Sequence, residues 1–202
     1  MLDDKTIQIF PGFGGKKLRI IAGDARSRRI ISPNGSDIRP TSDRVKESLF
    51  DIIGNKVVDA KVLDLFAGTG NLGLEAVSRG ASLAVFIDIS RESIKIANEN
   101  INLLNYQKYC EVYNNDALTA IDILSRRKVI FDIIFIDPPY RKDIIPEVLK
   151  KITEAQIIKS NGIVCAEHDA KDILPDEVSN IKRYKFNKYG DTILSFYRIA
   201  EE

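Results

Sequence analysis

The chain has 202 residues, 44% hydrophobic and 29% charged, an ordinary globular composition with room for one sizeable core. No apolar run reaches the roughly 18 residues that span a bilayer, and the N-terminus lacks the basic start and long apolar stretch of a secretory signal, so a cytoplasmic protein is expected. A single histidine (His168) and two distant cysteines (Cys110, Cys165) argue against a His-based metal site, a catalytic triad or a disulfide framework, and no metal is expected. The net charge of +1 is unevenly spread: between Lys16 and Lys46 stand nine basic residues and three acidic ones, the pattern of a polyanion-binding arm on a mildly acidic body.

Residues 1–16 show weak periodicity and end in Gly12-Phe-Gly-Gly15, which predicts a flexible leader. Residues 17–55 form the next unit. The β-branched runs 18–22 and 28–32 flank GDARS as a hairpin, and a helix follows with Thr41 or Ser42 as its cap and Val45, Leu49, Ile52 and Ile53 at helical spacing. From residue 56 to 202 strands and helices alternate. Strands are expected at 61–66, 83–88, 109–115, 131–137 and 162–167, with helices at 72–79, 91–104, 117–127 and 144–152. Two last strands, around 181–188 and 191–199, flank a turn at Gly190-Asp191. This alternation predicts an α/β protein whose mainly parallel sheet is covered on both faces, with an antiparallel hairpin at one edge.

Ligands of open α/β sheets lie beyond the carboxyl ends of the strands, where the chemistry-bearing residues of this sequence collect. Gly68-x-Gly70-x-x-Gly73 matches a dinucleotide fingerprint, and Asp88 falls 18 residues after Gly70 at a strand end, placed to accept ribose hydroxyls. Two features favour S-adenosylmethionine over a nicotinamide dinucleotide. Asp64 precedes the loop, where a carboxylate repels a pyrophosphate but attracts an ammonium and a sulfonium. Asn115-Asp116 ends the third strand, placed for an adenine amino group.

The fourth strand ends in Asp137-Pro138-Pro139-Tyr140. Prolines stop a strand, and plain punctuation would explain them. Beside a sulfonium-binding loop they also suit a base carrying an exocyclic amine. Such a nitrogen is a poor nucleophile because its lone pair is delocalised. The Asp137 carboxylate and the Pro138 carbonyl can accept its hydrogens and turn the lone pair toward the methyl carbon, Pro139 stiffens the turn, and Tyr140 can stack on the base.

Leu18-Arg-Ile-Ile-Ala-Gly23, Arg39-Pro-Thr-Ser-Asp-Arg-Val-Lys-Glu-Ser-Leu-Phe50, Asp64-Leu-Phe-Ala-Gly-Thr-Gly70, Gly73-Leu-Glu-Ala-Val-Ser-Arg-Gly80, Asp137-Pro-Pro-Tyr140 and Tyr189-Gly-Asp-Thr192 together resemble the RsmD family of 16S rRNA guanine-N2 methyltransferases, over roughly residues 17–199. The resemblance implies a class I, Rossmann-like fold with a seven-stranded sheet and a small N-terminal hairpin-helix extension. It implies that Asp64, Phe66, Ala67, Gly68, Thr69 and Gly70 line S-adenosylmethionine, that Asp88 holds its ribose, and that Asp116 and Ala117 hold its adenine. Asp137, Pro138, Pro139 and Tyr140 would handle the base. Arg26, Arg28, Arg29, Arg39 and Arg44 would meet phosphates of 16S rRNA or an assembling small subunit, with a monomer as the default state. Asp88 stands where the family usually has glutamate, and residues 1–16 lie outside the pattern. Other readings are methylation of another RNA or DNA base, a non-catalytic nucleic-acid-binding module, and a nicotinamide-dependent oxidoreductase that Asp64 disfavours.

Overall fold

The hairpin forms where two β-branched runs face each other. In a computed structural model that describes residues 18–32, 42–139 and 144–200, strand β1 (Leu18–Arg19) pairs antiparallel with β2 (Arg29–Ile30). Helix α1 (Asp43–Ile53) begins at Ser42, whose side chain accepts the Val45 amide at 3.3 Å. The helix buries Val45, Leu49, Phe50 and Ile53 and stops at Gly54. Of the two expected caps, Ser42 is the one used; Thr41 lies outside the described residues.

The alternating part follows as β3 (Lys61–Asp64), α2 (Asn71–Ser78), β4 (Leu83–Asp88), α3 (Arg91–Leu104), β5 (Cys110–Asn114), α4 (Ala117–Arg126), β6 (Phe131–Ile136), α5 (Ile145–Glu154) and β7 (Ile158–Asp169). Then come β8 (Glu177–Val178), β9 (Ile181–Tyr189) and β10 (Thr192–Ile199). The sheet order is β5-β4-β3-β6-β7-β10-β9-β8, parallel from β5 to β7 and antiparallel from there outward. The expected sheet thus carries an eighth, two-residue strand at its edge. Strand β7 also starts four residues earlier than its apolar run suggests. Its pairing with β6 shifts register between Phe131 and Ile133, and the polar stretch Lys159-Ser-Asn161 is carried there as an exposed irregularity.

Successive strand residues point to opposite faces, so near-continuous apolar runs supply two cores at once. Val62, Phe86, Ile133, Phe135, Cys165, Leu194 and Phe196 pack under the hairpin and helices α1 to α3. Leu63, Val85, Ile134, Ile136, Val164 and Tyr197 pack under α4 and α5. The hairpin therefore shares a core with the sheet.

Polar contacts bind it further. Lys46, 1% exposed, sends its ammonium to the Arg19 carbonyl and to Asn71 Oδ1, both at 2.7 Å, and lies 3.1 Å from Glu75 Oε2. Glu75, fully buried, accepts the amides of Ile21 (2.7 Å) and Ala22 (3.0 Å) and Arg79 Nε (2.8 Å). Burial pushes the Lys46 ammonium below the usual lysine range, while Glu75 pulls it back up. Lys46, counted with the basic arm by sequence, is a structural cation.

The order reverses between β3 and β6: β4 and β5 build outward on one side, β6 and β7 on the other. That is the switch point beside which an open α/β sheet leaves a crevice. Asp64 and Asp137 stand at its two lips.

Candidate active site

Asp64 ends β3 with 2% of its surface exposed, at the amino end of α2, where its Oδ2 accepts the Gly73 amide at 3.1 Å. Burial raises this carboxyl to about 7, the charge of Asp88 adds to the rise, and amide bonds from Gly73 and Phe66 oppose it. A buried acid so poised gains from a cation brought beside it. The loop reaches α2 through Gly70 at φ 81°, the left-handed conformation in which a side chain is strained. At Gly73 the constraint is space, since an added Cβ would stand 2.3 Å from Phe86 Cε1. The last glycine of the fingerprint lets α2 lie flat on β4.

Asp88, half-buried at the end of β4, accepts the Gly68 amide with Oδ2 and the Ser90 amide with Oδ1, both at 2.8 Å. The aspartate thus fastens the glycine loop to the β4 end. A carboxylate has about four acceptor positions, so it retains capacity for ribose hydroxyls. Asp116 caps α4, accepting the Thr119 amide at 3.0 Å, and Ala117 is buried behind it. Asn115 Oδ1 accepts the Asp116 amide at 2.9 Å. Phe66, Gly68 and Thr69 are half-buried and Ala67 and Gly70 buried, so the predicted cofactor residues meet along the carboxyl ends of β3, β4 and β5.

Asp137 leaves β6 half-buried, followed by buried Pro138 and exposed Pro139; Tyr140 lies outside the described residues. A cleft of about 400 Å³ opens between the amino end of α1 and the upper ends of β7, β9 and β10. Its walls are Ser42, Arg44, Val45, Glu167, Lys188, Tyr189, Gly190 and Thr192. Tyr189 is held by a hydrogen bond between its hydroxyl and that of Ser48 on α1. Sequence reasoning missed Glu167, reading it as the end of a strand. The available signal was a carboxylate closing an otherwise apolar run at the same edge as Asp137.

Other reactive side chains serve structure. His168 Nδ1 faces the Asp169 carbonyl at 3.0 Å, which only accepts, so this nitrogen carries the proton and Nε2 receives the Ser195 hydroxyl at 2.9 Å. Burial lowers its basicity and keeps it neutral. Burial pushes the Cys110 thiol up to about 12, and that of Cys165 higher, so neither is a ready nucleophile. Among the described residues no group of three or more His, Cys, Asp or Glu could hold a metal ion. No described helix is long and apolar enough to cross a membrane.

The predicted arginines divide. Arg44 lines the cleft, whereas Arg39 lies outside the described residues. Arg26, Arg28 and Arg29 are exposed, but Arg28 donates to the Leu103 carbonyl near the carboxyl end of α3, and the Asp24 amide beside the turn donates to the carbonyl of Ser78 at the end of α2. Helices that follow parallel strands run back down the sheet, so the hairpin turn sits at the edge opposite Asp137.

Residues 18–198 match the model of the family described as "Conserved hypothetical protein 95". The chain is 36% identical over 181 residues to the Bacillus subtilis (strain 168) protein named "Putative rRNA methyltransferase YlbH", covering 90% of this chain and 98% of that one. It is 30% identical over 185 residues to "Ribosomal RNA small subunit methyltransferase D" of Escherichia coli (strain K12), covering 92% and 91%. Among solved structures, "Putative methyltransferase yhhF from Escherichia coli" superposes with a TM-score of 0.81 at 29% identity, covering 93% of this chain and 100% of that one. The architecture is that of class I S-adenosylmethionine-dependent methyltransferases.

Proposed function

Since the chain belongs to the RsmD family, we propose that it methylates the exocyclic N2 amine of a guanine in small-subunit (16S) ribosomal RNA. The ribosomal substrate is supported by the names its relatives carry. The amine is supported by one observation above others: Asp137 and a buried proline follow a strand end directly across the switch point from the glycine loop.

The cofactor is S-adenosylmethionine, and the residues fit it. Asp64 offers a buried carboxyl, raised by burial, to the ammonium, Asp88 offers acceptors to the ribose, and the Asp116-Ala117 corner offers a surface to the adenine. When bound, the cofactor supplies an electrophilic methyl carbon and its own leaving group. The Asp137 carboxylate and the Pro138 carbonyl accept the amine hydrogens, which localises the nitrogen lone pair and aims it. Proline has no amide hydrogen to compete, and its fixed φ keeps the carbonyl in place. Tyr140 is assigned to stacking on the ring. The catalytic contribution of the chain is therefore positioning and preorganised charge.

The test is transfer of labelled methyl from S-adenosylmethionine to small-subunit particles, naked rRNA and DNA, followed by nucleoside analysis. N2-methylguanosine from small-subunit RNA is the expected product; label in DNA adenine overturns the assignment. Asp137→Ala is expected to abolish transfer, a loss of at least about 100-fold, while cofactor binding by calorimetry is retained. Near-normal turnover in that variant would remove Asp137 from the mechanism.

A further inference from the structure

We propose that the cleft beside Asp137 seats the target base and that Glu167 selects guanine by accepting its ring N1–H. This rests on the guanine-N2 reading above and supplies a reason for it.

The sheet register brings the two carboxylates together. Ile136 on β6 is paired with Ala166 on β7, so the next residue of each chain, Asp137 and Glu167, leaves the pair side by side. They also share a face. Cys165 and Phe135 point into the core beneath α1, and the period of two carries Glu167 and Asp137 to that side. The cross-strand partner of Glu167, Leu194, lies in the same core. Glu167 is 4% exposed and is one of the residues that line the cleft, held there by its place in β7. At about 400 Å³ that space is within the roughly 300–1,000 Å³ of small-molecule sites, enough for one purine.

The chemistry then separates the bases. Guanine presents adjacent donors, the N2 amine and N1–H, followed by the acceptor O6. With Asp137 on the amine, the neighbouring carboxylate meets N1–H, and O6 falls toward Arg44, Thr192 and the positive amino end of α1. Adenine presents a lone pair at N1, which a carboxylate repels. A carboxylate has about four acceptor positions, so contacts within the protein leave room for the base. Asp137 serves an amine on any base; Glu167 is what makes the amine guanine's.

The experiment uses the full chain and the RNA nucleotide that the wild type labels, replaced by ligation with 2-aminopurine. That analogue keeps the N2 amine but has a lone pair at N1 and no O6. Wild-type protein is expected to favour guanine by about 100-fold or more in kcat/KM. In Glu167→Gln the amide can donate to N1 of 2-aminopurine, so the preference should shrink at least tenfold, with cofactor titration and unfolding midpoint unchanged. A merely structural role for Glu167 would not move that ratio. An unchanged ratio in Glu167→Gln overturns the proposal, and so does a wild-type ratio near one, which decides the matter even if the variant fails to fold. Wild-type protein that labels no guanine N2 overturns the guanine-N2 reading and this inference together, so the two failures are distinguishable.

Discussion

Asp64 shows what burial does to a single carboxyl. Its value in the folded chain, about 7, stands above the unfolded value of 3.8. A raised acid contributes stability that is fully present below the unfolded value and is lost as pH climbs to the folded one. Asp64→Asn keeps an acceptor for the Gly73 amide without the titration. The difference in unfolding free energy between variant and wild type should therefore shift in favour of the variant from about pH 4 to pH 7, by on the order of 4 kcal/mol, and then level off. Denaturant unfolding at a series of pH values checks this; parallel curves would mean that Asp64 does not titrate in that window. The sequence places Asp64 correctly before the glycine loop, but nothing local says that its surroundings hold it near neutrality. The role proposed for Glu167 was illegible for the same reason: it depends on what stands next to it after β6, about 30 residues away in the chain.

At the scale of elements, the joint between hairpin, α1 and α2 carries the sharpest stability expectation. Glu75→Ala removes the partner of a fully buried ammonium and the acceptor of two hairpin amides at once. Breaking a buried pair on one side costs roughly 3–5 kcal/mol. Arg19→Ala, by contrast, removes an exposed contact with Asp43 at 2.8 Å, where the loss should stay below about 1 kcal/mol. Comparable losses in the two variants, measured by urea unfolding, would contradict a buried network as the anchor. Element limits were largely legible because caps announce them: Ser90 and Asp116 each accept an amide three residues on, where α3 and α4 begin. The early part of β7 was not, since the polar stretch Lys159 to Gly162 carries no strand pattern and is bracketed by the pairs Phe131–Ile158 and Ile133–Ile163 with β6, between which the register shifts.

For the whole molecule, the cleft and the hairpin turn mark opposite edges of a sheet whose central parallel strands β4 and β6, at six residues each, span about 20 Å. On the proposed function, a phosphate contact at Arg26 needs a substrate that reaches round the protein, whereas Arg44, at the cleft itself, needs only the target segment. Arg44→Ala should weaken binding to any substrate RNA and lower the slope of log affinity against log salt by about one. Arg26→Ala should do so for an assembled small-subunit particle and leave a short target stem-loop unaffected. Equal effects on both substrates would place the hairpin turn at the target loop.

By itself the sequence determined the alternating α/β plan, the glycine loop after the first strand of that alternation with an aspartate at the end of the next, and the Asp137-Pro-Pro stop, because each depends on near neighbours in the chain: periodicity, caps, glycines where backbone must bend, prolines where it must stop. Only the tertiary structure decided that Lys46 belongs to the core, that Arg44 and Arg28 lie toward different edges of the sheet, and that Glu167 follows Ala166 beside the end of β6. Those facts arise from strand register and helix packing, which join residues tens of positions apart and leave no local mark on any of them.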